Sequence, residues 1–281
     1  MFFHSCFLFF FQDEFLGDVV AMFCPKLKTL TLISEVLNKQ VTDQGLIKYI
    51  DVTIINNSQL EYIDILRVDN GITIDGVSEL KKLPMLRRMS LNLRQLKNEE
   101  LSPVINPNIQ YLELCSSWDE AINLFLPVVN KMFPNVSSLV LKNRFTGQQE
   151  LPNWEQSIES LECEIGKSSD LNQVFAMFAQ LENVRITVPS PTFFSEFFEM
   201  PSTLNIRKIE LNFYLALFRD RTPECITVKN WMARFPFNVE FKFRVKSNSK
   251  ELWQRFLSEL KNFIRETPRP IEIEHLDPDE D

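Results

Sequence analysis

Leu86-Arg87-Arg88-Met89-Ser90-Leu91 carries apolar residues at its first, fourth and sixth positions. The spacing recurs along the chain. Before it stand Leu27-x-x-Leu30-x-Leu32 and Leu60-x-x-Ile63-x-Ile65. After it come Ile109-x-x-Leu112-x-Leu114, Val136-x-x-Leu139-x-Leu141, Ile158-x-x-Leu161-x-Cys163, Leu181-x-x-Val184-x-Ile186 and Ile206-x-x-Ile209-x-Leu211. A worn copy, Asn238-x-x-Phe241-x-Phe243, closes the series. One such hexad arises readily by chance. A run that fills the chain, each beginning 22 to 33 residues after the last, is an internal repeat.

Each hexad is short enough to be a strand, and the intervals hold helical patterns. Val41-Thr42-Asp43 opens one, with Thr42 or Asp43 as the N-cap. Asp75 and Ser78 are candidate caps for the next. Asp119 opens a longer helix interrupted by Pro127, and Asp170 caps another. Ser190-Pro191 places an N-cap and then Pro at the first helical position, ahead of Phe193, Phe194, Phe197 and Phe198. Thr227 caps a helix from Val228 to Phe235. Ser249 opens the clearest helix, with Leu252, Phe256, Leu260, Phe263 and Ile264 on one side. Several hexads follow an x-Pro-x lead-in: Cys24-Pro25-Lys26, Leu83-Pro84-Met85, Asn106-Pro107-Asn108 and Phe133-Pro134-Asn135. Proline biases the residue before it away from helix, so the chain reaches the strand extended.

Short strands alternating with helices predict an α/β fold with parallel strands and helices on one side. The predicted architecture is a right-handed horseshoe, or solenoid, with the parallel sheet on its concave face and helices on its convex face. It spans 14–276 in about nine to ten repeats. Residues 1–13 are a hydrophobic leader, expected to be disordered or to cap the first repeat. The leader is too short to cross a bilayer, and it lacks the basic start and cleavage site of a secretory signal. A helix is predicted over 14–23. Ile271-x-Ile273 reads as a terminal edge strand, and 277–281 as an acidic tail that blunts it.

Composition narrows the function classes. Of 281 residues, 44% are hydrophobic and 24% charged, as in a globular chain. Six glycines leave little room for a phosphate-cradling loop, and neither G-x-x-x-x-G-K-[ST] nor G-x-G-x-x-G occurs. A net charge of −8 repels nucleic acid and anionic membrane. Neither is an expected partner. Five cysteines, an odd count with no C-x-x-C pair, suit reduced thiols in the cytoplasm or nucleus. The sequons Asn56-Asn57-Ser58 and Asn135-Val136-Ser137 are of a kind that chance produces. The only histidines, His4 and His275, stand near opposite ends, which argues against a Ser/His/Asp set or a His-rich metal site. No catalytic, metal or cofactor residues are assigned.

The hexads, the Cys24-Pro25-x-Leu27 lead-in and the Val41-Thr42-Asp43-x-x-Leu46 helix start together resemble the cysteine-containing class of leucine-rich repeats. That class is typical of F-box/leucine-rich-repeat proteins, the substrate receptors of cullin–RING ubiquitin ligases. The resemblance covers roughly residues 15–245 at the level of repeat class. It implies a non-enzymatic protein-binding module, a substrate on the concave face and, through an F-box, a cullin-ligase adaptor as partner. Two departures stand against it. Glu35, Val68, Arg94, Ser117 and Arg144 occupy the positions where such repeats place Asn or Cys. No F-box precedes Leu27, so the chain is expected to be a piece of a longer protein or one that does not dock to the adaptor. The alternatives are a stand-alone intracellular scaffold or inhibitor and, further off, a secreted ectodomain.

Side chains alternate along a strand, so the third, fifth and seventh positions of each repeat face away from the helices. Among them Tyr62, Asp64, Tyr111, Glu113, Glu162 and Glu164 form the expected partner-binding patch. Exposed tyrosines supply anchors, and carboxylates steer a basic protein ligand.

Overall fold

The computed structural model describes residues 5–9, 26–34, 41–55, 58–68, 72–92, 106–115, 129–145, 158–189, 191–198, 204–214, 225–246, 250–266 and 269–276. The predicted helix over 14–23, the start of the helix at Asp119, His4 and the acidic tail lie outside them. The chain divides into two compact units, residues 1–142 with 154–156, and residues 143–153 with 157–281.

The first unit is built on β1 (Ser5–Phe9), β2 (Thr29–Ser34), β3 (Tyr62–Val68), β4 (Arg88–Asn92), β5 (Tyr111–Cys115) and residues 138–142 of β6 (Ser138–Phe145). Each strand lies parallel to the next in sequence order. Between them run α1 (Asp43–Ile55), α2 (Ile74–Glu79) with a 3-10 turn at Leu80–Lys82, and a helical turn over 129–132. The leader, expected to be disordered or capping, contributes β1 at the edge of the sheet beside β2.

The second unit repeats the plan with β7 (Ser160–Ile165), β8 (Asn183–Val188), β9 (Lys208–Tyr214), β10 (Glu240–Lys246) and β11 (Ile271–Leu276), again parallel and in order. Its helices are α3 (Leu171–Met177), α4 (Cys225–Met232) and α5 (Lys250–Glu266). Both units are α/β and solenoid-like.

The hexad sets the core. Leu86, Met89 and Leu91 are inaccessible, as are Leu60, Ile63, Ile65, Ile109, Leu112 and Leu114. Each fully buried aliphatic contributes roughly 1.5–3 kcal/mol. In the worn copy Asn238 is exposed, and the buried Val239 takes over its place beneath Phe241 and Phe243. Phenylalanine fills the second unit. Trp231 of α4 meets Phe193, Phe194, Phe198, Phe235 and Phe241 with ring centroids 4.9–6.1 Å apart. Its indole N–H donates to Ser168 Oγ at 2.7 Å, so the one polar atom of that ring is satisfied in the core.

The lead-ins act as turns. The Leu83 carbonyl accepts from Leu86 N and the Phe133 carbonyl from Val136 N, each at 3.3 Å, with Pro84 and Pro134 at the second turn position that proline favours. A second device joins repeats. The carbonyl at position two of one hexad accepts from the amides at positions two and three of the next. Lys28 O takes Glu61 N and Tyr62 N, Glu61 O takes Arg87 N and Arg88 N, and Arg87 O takes Gln110 N and Tyr111 N. Glu159 O and Glu182 O do the same in the second unit.

Several predicted caps are corrected. Thr73, not Asp75 or Ser78, caps α2, its hydroxyl accepting from Asp75 N. Asp170 ends a 3-10 turn (Ser168–Asp170) in helical conformation and makes no side-chain cap to α3. The phenylalanine helix is a single 3-10 turn, Pro191–Ser195, and α4 begins at Cys225 rather than after Thr227.

Candidate functional site

In both units the sheet face opposite the hexad core is lined by positions three, five and seven. Within the first unit, strand register puts Tyr62, Arg88, Tyr111 and Ser138 in one row and Asp64, Ser90, Glu113 and Val140 in the next. The Arg88 guanidinium lies between two rings, 5.3 Å from the centroid of Tyr62 and 4.8 Å from that of Tyr111. Each ring face attracts the cation, a contribution of roughly 0.5–1 kcal/mol at an exposed site.

Below this stack runs a hydrogen-bonded chain. Ser90 Oγ donates to Glu113 Oε2 at 3.0 Å, so its lone pairs are left for the Tyr62 hydroxyl, 2.8 Å away, which must donate. Burial pushes the Tyr62 phenol above its ordinary value, and the nearby Asp64 and Glu113 carboxylates add to the shift. The phenol stays protonated, as a donor must. Glu113 Oε1 meets Lys142 Nζ at 3.3 Å. Ser90 is completely buried although it sits on the outward face.

Asp64 has a local task. Register shifts between β2 and β3, from Thr31 opposite Asp64 to Ile33 opposite Arg67. The extra residue bulges β3, and Leu66 N donates to Asp64 Oδ1 at 3.0 Å.

The second unit holds the other two expected residues, in a different setting. Its fifth-position row reads Glu162, Arg185, Glu210, Lys242, Glu272, alternating in sign at every strand. The seventh-position row reads Glu164, Thr187, Asn212, Arg244, Glu274. Arg185 bridges Glu162 at 2.8 Å and Glu210 at 3.0 Å. Burial opposes its charge, but the two carboxylates outweigh burial and the guanidinium is held more basic than usual. Arg244 Nε meets Glu210 at 2.7 Å and Glu274 at 2.9 Å, and Lys242 Nζ meets Glu274 at 2.9 Å and Glu272 at 3.1 Å.

Tyr62, Asp64, Tyr111 and Glu113 therefore share one face of the first unit, and Glu162 and Glu164 lie on the corresponding face of the second. Glu113 and Glu162 both have cationic partners, so each unit's face is mixed in charge rather than acidic. Arg88, Ser90, Arg185 and Glu210 stand in these rows, with Lys142 two residues beyond Val140; the sequence places all five on this side of their strands but outside the expected patch. Their signal was present: writing hexads one beneath another sets each residue beside its cross-strand neighbour. Phe193, Phe194 and Phe198 are buried, while Phe197 is 65% exposed beneath the Arg234 guanidinium.

Among the described residues, no group of three or more His, Cys, Asp or Glu side chains could hold a metal ion, and no helix is long and apolar enough to cross a membrane. The chain matches no protein-family model, and no curated protein matches it.

Proposed function

We propose that the chain is a non-enzymatic, protein-binding leucine-rich-repeat horseshoe that recognises substrate for an F-box-type receptor of a cullin–RING ubiquitin ligase, in the cytoplasm or nucleus. The observation that carries the binding role is the outward sheet face. Every repeat turns positions four and six into the core, leaving three, five and seven to present aromatic, cationic and anionic groups. On that face the Tyr62–Arg88–Tyr111 stack offers a rigid amphipathic anchor of the residue types that dominate protein interfaces. The ligase connection rests on the repeat-class resemblance alone.

Affinity purification of the protein carrying this sequence, from cells with cullin activity blocked, tests both halves. Recovery of a cullin and its adaptor together with a third protein is expected, and Arg88→Glu with Tyr111→Ala should release the third protein only. A partner recovered without cullin or adaptor would replace the ligase role by that of a stand-alone scaffold. Partners indifferent to the Arg88 and Tyr111 changes would remove the face from the binding site.

A further inference from the structure

The outward faces use their cations in different ways. In the second unit Arg185 and Arg244 each bridge two carboxylates, and in the first Lys142 meets Glu113. Arg87 turns its guanidinium back onto the carbonyls of Pro84 and Leu86. Arg88 has neither kind of partner. It is exposed, its guanidinium lies over the Tyr62 and Tyr111 rings, and among the described residues no oxygen accepts from it. A ring face attracts the charge without taking the place of an oxygen acceptor, so the planar fork keeps its N–H donors for another group. The stack is braced from beneath: the Tyr62 hydroxyl is tied to Ser90, which is completely buried and bonded to Glu113. A guanidinium held in this way loses little further freedom when an acceptor reaches it.

Charge and position select the occupant. A lysine or arginine on the ligand would meet the Arg88 charge head on. A carboxylate matches the fork in two parallel charge-assisted bonds. A phosphate would match it too, but Asp64 and Glu113 stand in the next row, and their field reaches the Tyr62 phenol beside Arg88. They repel a dianion more strongly than a single carboxylate. Tyr62 on β3 and Tyr111 on β5 flank Arg88 on β4, each about 4.8 Å to one side at ordinary strand spacing. A chain crossing the strands above Arg88 therefore covers one ring before it and one after, whereas a terminal carboxylate would leave a ring bare. We infer that the outward face of the first unit takes up an extended segment of a partner protein carrying an internal Asp or Glu. Its carboxylate docks on the Arg88 guanidinium, and the residues on either side cover Tyr62 and Tyr111. The inference rests on the protein-binding reading of this face and not on the ligase role. It reverses the sign of the ligand expected from the carboxylates of Asp64 and Glu113.

The test applies the full chain, fluorescently labelled, to immobilised nonapeptides whose central residue is Glu, Asp, Gln, Lys or phosphoserine and whose flanks are randomised. Peptides centred on Glu or Asp should retain about ten-fold more protein than those centred on Gln or Lys, as a bidentate charged pair implies. R88Q should erase that preference. R88K should keep only part of it, since an ammonium holds the charge without the fork. Unchanged circular dichroism spectra confirm the fold of both variants. Equal retention on Glu and Gln centres, a preference that survives R88Q, or stronger retention on phosphoserine than on Glu would overturn the inference. Y111A separates its failure from that of the reading beneath it. A face that binds protein without reading acid loses retention in Y111A whatever the central residue, which overturns the acidic ligand and leaves the face. Retention indifferent to both R88Q and Y111A would remove the face as well.

Discussion

Asp43 and Gly76 belong to different repeats and meet at a helix start. Asp43 Oδ1 accepts from Gly76 N at 3.1 Å and from Thr73 N at 2.8 Å, and its Oδ2 accepts from the Thr73 hydroxyl at 2.6 Å. The first residue of α1 thus satisfies amides that α2 cannot pair within itself, and sets a negative charge at that helix's positive end. A Cβ on residue 76 would collide with Asp43 Oδ1.

Gly76→Ala should therefore destabilise the first unit. In an open helix the change would gain up to about 1 kcal/mol. Here it displaces a carboxylate whose capping is worth about 1–2 kcal/mol. In an Asp43→Ala background the obstacle is gone, and Gly76→Ala should become neutral or stabilising. Urea melts of the four variants read the sign change. A loss of equal size in both backgrounds would mean that Asp43 is not what the methyl group meets.

Leu112 and Glu113 are chain neighbours on opposite faces of β5. Leu112→Asp puts an uncompensated charge among inaccessible aliphatics, at a cost of about 3–5 kcal/mol beyond the lost packing. That rivals the whole stability of many domains, and the variant should lose its cooperative melt. Glu113→Ala removes the acceptor of the buried Ser90 hydroxyl and should cost only about 1 kcal/mol. Comparable losses in the two variants would invert the assignment of faces.

Glu274 should shape the acid limb of stability. Bonds from Lys242 and then Arg244 hold its carboxyl below the ordinary carboxylate range. A depressed folded-state pKa stabilises fully above the unfolded value and is lost as pH falls through the folded one. Glu274→Gln should thus lower stability slightly at neutral pH, slightly because the pairs are exposed, and converge with the unaltered chain as pH falls through the carboxylate range, which flattens the acid decline by the same small amount. Denaturant melts across the acid range check this, and an unchanged slope would show that Glu274 does not share in the linkage.

Cys163 should act as a reporter of unfolding. It fills the sixth hexad position, is fully buried, and burial drives its thiol far above the ordinary range. The thiolate is the reactive species, so alkylation at neutral pH should wait on opening of the second unit. Cys115 is half-buried with its thiol raised more modestly, and should react in the native fold, though slowly. Peptide mapping after timed iodoacetamide treatment separates the two. Rapid labelling of Cys163 in the absence of denaturant would contradict its burial.

Core membership was legible in the sequence because it is periodic. Once Leu86, Met89 and Leu91 mark one face of a strand, alternation assigns Arg88, Ser90 and Asn92 to the other, and nothing distant is needed. The same reading selected Glu113 and Glu162 as carboxylates that steer a basic ligand, because it compared each residue with its neighbours along the chain. Their partners lie 23 to 29 residues away in sequence, one strand over, and only register brings them into contact. Register sets equal hexad positions side by side, and it slips at the bulge beside Asp64. The same holds for Asp43, which caps the next helix rather than its own, and for Phe193, Phe194 and Phe198, which turn inward to meet Trp231. A hexad specifies which side of a strand is apolar through local alternation. Which charged side chain reaches which depends on the free energy of stacking one repeat on another, and that exists only in the assembled fold.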